Sequence, residues 1–133
     1  MTTITSTYLG GLRCSSLHGP SGATLLTDAP TDNQGKGEAF SPTDLLATAL
    51  ATCILTILGI VAERHGLRIE GSEVRVEKTM SAQGPRRVVL LEAWISLPSQ
   101  LEPDQRELLR RAGESCPVKV SLEGAVPMRL HWG

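Results

Sequence analysis

Sulfur is the most reactive chemistry this chain offers, and it is spread thinly. Cys14, Cys53 and Cys116 are separated by 39 and then 63 residues, so no two are neighbours in sequence. Cys53 lies inside an uncharged run, LLATALATCILTILGIVA. A free cysteine there reads either as a small buried hydrophobe or as a nucleophile that needs a nearby cation, because apolar surroundings disfavour a thiolate. Cys116 precedes Pro117, and proline disfavours the α region for the residue before it. Its thiol is therefore expected at the entrance of a short following helix, where partial positive charge favours ionisation, or as an ordinary structural cap. Cys14, beside Arg13 in an N-terminal strand, reads as packing.

Other chemistries fit less well. His18, His65 and His131 are widely separated, and no C-x-x-C or H-x-x-H pair provides metal-ligand spacing, so neither a metal nor another cofactor is expected. Gly35-Lys36-Gly37 is too short for a phosphate-binding loop, which needs four residues between its glycines and Ser/Thr after the lysine. The net charge of -1 and only four aromatic residues argue against a nucleic-acid partner.

The 133 residues suit one domain, residues 1–133, and the 41% hydrophobic share can build a core. An odd number of unclustered cysteines suits a reducing compartment, and the first residues lack the basic and apolar regions of a signal peptide. A cytoplasmic protein is expected. The 18 uncharged residues from Leu45 to Ala62 reach the lower edge of membrane-spanning length. As a helix they rise only about 27 Å, and they carry three threonines and a glycine without a flanking Lys/Arg cluster. A helix buried in protein, with no membrane partner, is the expectation.

The elements that must position these residues follow from caps and periodicity. Ser41-Pro42-Thr43-Asp44 has the form of a helix start, and Arg64, His65 and Gly66 that of an end, which predicts a helix over 42–65. TITSTYL, LRCSSLH and ATLLT read as strands before it, and DAPTDNQGKGEAF as a loop. After it, SEVRVEKTM and VVLLEAWISL alternate as a hairpin, with Val89, Leu91, Ala93, Ile95 and Leu97 on one face. Pro103 opens a second helix ending near Gly113, a short helical piece follows Cys116, and AVPMRLHW reads as an edge strand. This order favours an α+β fold with antiparallel pairing. The central helix is apolar on nearly every side, which one sheet cannot cover, so a symmetric homodimer burying it is expected.

SPTDLLATALATC followed by ESCPV resembles the OsmC/Ohr family of thiol-dependent peroxidases in motif, separation and element order along the whole chain. The resemblance implies antiparallel sheets wrapped around the long helix in an intertwined homodimer with two sites between subunits. It implies Cys53 as the cysteine that attacks an organic hydroperoxide or hydrogen peroxide, and Cys116 as the one that resolves the sulfenic acid as a disulfide. A dithiol such as reduced lipoamide, or another cellular thiol, then restores the enzyme in oxidative-stress defence. In the family an N-terminal arginine ionises the first cysteine and is held by a glutamate ten residues before it. Arg13 matches the arginine; Thr43 stands at the glutamate position, and the carboxylate is Asp44, nine before Cys53. Nine residues at about 100° each set Asp44 on the opposite helix face and about 13 Å along the axis. Asp44 therefore acts either as a helix cap or through another element or the partner chain. The alternative function is a dimer of this shape that binds an apolar or electrophilic ligand without efficient turnover.

Overall fold

The Ser41-Pro42-Thr43-Asp44 start forms as its residue types dictate. In the computed structural model, which describes residues 1–133, helix α1 runs over Pro42–Arg64. The Ser41 Oγ accepts from the Asp44 N–H at 3.1 Å, and the Asp44 Oδ2 accepts from the Ser41 N–H at 2.9 Å, a reciprocal capping box. At the other end Gly66 takes φ 65°, the Leu67 N–H reaches the Ala62 carbonyl and the Gly66 N–H that of Glu63. This is a Schellman cap, and it satisfies carbonyls that the last turn leaves open.

Along α1, Leu50, Ile54, Leu58 and Ala62 form a fully covered row at four-residue spacing. Thr52, Thr56, Ile60 and Glu63 form an exposed row, so one side of this apolar helix is left uncovered in one chain. The Thr52 and Thr56 hydroxyls donate to carbonyls one turn back, Thr48 and Thr52, so the apolar helix carries these groups without orphaned donors.

Residues Met1–Leu46 and Ala47–Gly133 form two compact units. The first holds strands β1 (Ile4–Gly10), β2 (Arg13–His18) and β3 (Thr24–Asp28), an antiparallel meander in the order β1-β2-β3. The stretch expected as a plain loop contains a 3-10 turn at Thr31–Asn33. Thr27, Asp28 and Ser41 are buried polar residues of this unit.

The second unit holds most of α1, strands β4 (Glu73–Met80), β5 (Val88–Ser96) and β6 (Met128–Trp132), and helices α2 (Pro103–Gly113) and α3 (Pro117–Leu122). Two expectations need correction here. The pairing is not antiparallel throughout, because β6 runs parallel to β5 in the sheet β4-β5-β6. The chain from Ser96 to Met128, with α2 and α3 in it, is long enough for the crossover that a parallel neighbour requires. The inward face of β5 also begins at Val88 rather than Val89. A register shift between Thr79 and Met80 sets Met80 opposite Val88 and Thr79 opposite Leu90, so alternation breaks at that point. Beyond it Leu91, Ala93 and Ile95 are buried as the period-2 pattern requires, and Leu109 is the fully covered residue of α2.

Candidate functional site

The two cysteines singled out by sequence meet within the second unit. Cys53 is half-buried on α1, between the covered Leu50 and Ile54, while Cys116 is completely buried where α3 starts. Pro117 holds Cys116 in extended backbone at φ -63° and ψ 142°, outside the helix that it caps. Its Sγ accepts from the Lys119 N–H at 3.4 Å, and its carbonyl accepts from the Val120 N–H at 3.0 Å. The position expected for this thiol, the entrance of a short helix, is the one it occupies.

The electrostatic outcome differs from the expected activation. Burial pushes the Cys116 thiol up from its ordinary value, and this outweighs the favourable Lys119 N–H; a hydrogen bond with the Cys53 side chain pushes it further. Cys116 therefore holds its proton more tightly than an ordinary thiol, and the neighbouring Cys53 side chain adds to this. Chemically, two thiols in contact, one protected from solvent and one at the edge of it, suit dithiol–disulfide chemistry.

Arg13 lies in the first unit with two carboxylates that sequence reasoning missed. Its Nη2 donates to the Asp28 Oδ2 at 3.1 Å and to the Glu38 Oε2 at 3.0 Å. The two partners differ in kind: Asp28 is 1% exposed, whereas Glu38 is open to solvent at 58%. The Glu38 backbone N–H, at 3.0 Å, and the Arg13 guanidinium hold the Asp28 carboxyl below the usual carboxylate range despite its burial. The other Asp28 oxygen, Oδ1, is buried with no hydrogen-bond partner. Asp28 could have been found from the hairpin register, since β2 and β3 pair Arg13 directly with Asp28; Glu38 gives no such signal, because it reaches Arg13 only through the loop after β3.

Asp44 is the reciprocal partner of Ser41 in the helix cap, the local role that its position alone supports. Cys14 is half-buried in β2, paired with Tyr8 on one side and Thr27 on the other. No group of three or more His, Cys, Asp or Glu side chains is placed to hold a metal ion.

Comparison with known proteins adds a frame to this geometry. The family model described as OsmC-like protein matches residues 35–131. A curated Bacillus subtilis (strain 168) relative, the uncharacterised protein YmaD, is 27% identical over 111 residues, covering 77% of this chain and 73% of its own length. Among solved structures, a candidate osmotic stress induced and detoxification response protein of Psychrobacter arcticus 273-4 is 43% identical with a TM-score of 0.92, over 100% of this chain and 96% of that one. The organic hydroperoxide resistance protein OhrB of Bacillus subtilis shares the fold at a TM-score of 0.73 and 20% identity, over 100% and 98% of the two chains.

Proposed function

We propose, for a chain that belongs to the OsmC-like protein family, that it is a thiol-dependent peroxidase in which Cys53 attacks an organic hydroperoxide and Cys116 resolves the product. The observation that carries this reading is the placement of a half-buried cysteine on α1, Cys53, beside a fully buried one at the start of α3, Cys116. The family assignment also makes α1 the core helix of this fold rather than a membrane span.

In the first step the Cys53 thiolate attacks the terminal oxygen of the hydroperoxide. An S–O bond forms, the O–O bond breaks, and the alkoxide takes a proton and leaves as the alcohol. Cys53 is then a sulfenic acid. The Cys116 sulfur, on losing its proton, attacks it, the S–O bond breaks, and water leaves as the disulfide forms. A cellular dithiol, oxidised in turn to its own disulfide, returns both cysteines to thiols. Apolar residues around Cys53 favour an alkyl hydroperoxide over hydrogen peroxide, because only the former has a tail whose burial is favourable. Arg13 is proposed as the cation of the first step on the family resemblance, with Asp28 and Glu38 as its holders. The outward face of α1 is proposed to be covered by a second copy of the chain, and the odd number of unclustered cysteines suits a cytoplasmic setting.

One observation favours a second reading, a binding protein for apolar ligands. A cleft of about 330 Å3 at the C-terminal end of α1 is lined by the apolar Leu55, Ala62, Leu67 and Ile69 and by the polar Glu63, Glu70 and Ser72, which suits an apolar ligand that carries a polar end. Peroxide consumption by purified protein with an added dithiol separates the two. The peroxidase reading expects Cys53→Ser to abolish consumption of cumene hydroperoxide, and Cys116→Ser to react once and stop at sulfenic or higher oxidation states. Consumption that survives in Cys53→Ser, or is absent from the unsubstituted protein, contradicts it.

A further inference from the structure

Only Glu114 and Ser115 separate the end of α2 from Cys116, so whatever fixes this short break fixes the buried sulfur. The main grip comes from Trp132 on β6. At Gly113 the helix lies directly against the indole: a Cβ there would stand 2.4 Å from the ring's Cη2, so no larger residue fits without displacing the ring. The same indole then donates from Nε1 to the Glu114 Oε1 at 3.0 Å. The Glu114 Oε2 lies 3.6 Å from the Lys119 Nζ on α3, and it is the Lys119 backbone N–H that donates to the Cys116 Sγ. Glu114, two residues before the cysteine, thus ties the end of α2 to β6 and α3, both of which follow the cysteine in the chain.

We infer that Glu114 is a positioning residue that holds Cys116 against Cys53 for disulfide closure. This rests on the proposed pairing of the two cysteines. Closing a disulfide needs the two Cβ atoms at about 3.5–4.5 Å and a defined torsion, so the step is sensitive to small displacements of either sulfur. The Trp132 bond carries most of the positioning. The Lys119 contact is longer, and Lys119 is held more closely, at 2.8 Å, by Glu123 within α3. Glu114 makes no contact with the peroxide in this scheme and acts only through the placement of Cys116.

The test is the equilibrium between the Cys53–Cys116 dithiol and its disulfide in glutathione redox buffers, read by thiol alkylation and mass spectrometry. Glu114→Ala is expected to lower the disulfide equilibrium constant about tenfold, which is about 30 mV for a two-electron couple. Glu114→Gln keeps an acceptor for the indole and is expected to stay within about threefold of the unsubstituted chain. Trp132→Phe removes the same hydrogen bond together with the ring edge that packs on Gly113, is expected to lose at least as much as Glu114→Ala, and carries the test should Glu114→Ala fold poorly. The reaction of Cys53 with one equivalent of peroxide is expected to keep its rate in Glu114→Ala. A disulfide equally stable in all four proteins overturns the inference about Glu114 alone, as does a loss in Glu114→Gln as large as in Glu114→Ala. Absence of the disulfide from the unsubstituted chain under oxidising buffers overturns the cysteine pairing and the inference with it.

Discussion

The Cys116 thiol, buried at the start of α3, keeps its proton while hydrogen-bonded to Cys53 on α1. The two sulfurs are therefore unequal before any oxidant arrives. Cys116 is shielded and protonated, and Cys53 is the more accessible.

This inequality has a pH signature. Because burial and Cys53 raise the folded value of Cys116 above its ordinary one, the native state holds this proton more tightly than the unfolded chain. Its contribution to stability is fully present below the ordinary thiol range and is lost as pH rises through the raised value. Alkylation of Cys116 by iodoacetamide in the Cys53→Ser background is expected to remain slow at pH 8 and to accelerate only in more alkaline buffer. That background also removes the Cys53 contribution, so the remaining shift reads burial. Alkylation as fast as a free thiol at pH 8 contradicts it.

Arg13→Ala is expected to slow the Cys53 reaction with cumene hydroperoxide on the order of tenfold or more at neutral pH, by a factor that shrinks at alkaline pH. Arg13→Lys keeps the charge but not the guanidinium geometry that brings a single nitrogen, Nη2, to both Asp28 and Glu38, and restores the rate only in part. Asp44→Asn is expected to change the rate little and to cost about 0.3–1 kcal/mol of stability, because it removes a negative charge from the positive end of α1 while keeping an acceptor for the Ser41 N–H. Stopped-flow rates and denaturant midpoints separate the two. An Asp44→Asn rate as low as that of Arg13→Ala returns Asp44 to the reaction.

Asp28 predicts a loss of stability in acid. The Glu38 N–H and the Arg13 guanidinium depress its folded value below the ordinary one. Its contribution is therefore present above the ordinary carboxylate range and disappears as pH falls through the depressed value. Asp28→Asn is expected to flatten the fall in urea midpoint below pH 4, whereas Glu38→Gln, at a solvent-open partner, changes it less. Equal effects of the two substitutions contradict the division between a buried and an exposed holder.

Oligomeric state tests the open face of α1. Burying roughly 500 Å2 of apolar surface is worth on the order of 12 kcal/mol, so a dimer is expected to persist at micromolar concentration. Analytical ultracentrifugation at 1 μM showing a folded monomer contradicts this. Ile60, 42% exposed in one chain, supplies the local probe, since Ile60→Asp is expected to weaken the dimer.

What was legible in the sequence is what is encoded locally. The caps of α1 are written in Ser41, Asp44 and Gly66, which act within a few residues of themselves, and both ends form as read. The meeting of Cys53 and Cys116 was legible through the family resemblance of their motifs, since 63 residues of chain intervene. Non-local geometry was less legible. The parallel partner of β5 depends on how the chain returns through α2 and α3, and the shift from Val89 to Val88 depends on one extra residue in a strand pair. Alternation within a strand encodes neither. Glu38 finds Arg13 only because the segment after β3 folds back to offer its N–H to Asp28. The carboxylates that the structure places on Arg13 therefore come from β3 and the segment after it, outside the motif around Asp44.

The central claim is tested most directly by counting thiols. Reduced protein treated anaerobically with one equivalent of cumene hydroperoxide per chain, then analysed by thiol titration and peptide mass spectrometry, is expected to lose two thiols per chain and to yield a peptide pair linked through Cys53 and Cys116. Loss of no thiol, or a disulfide that joins Cys14 to Cys53, contradicts the account.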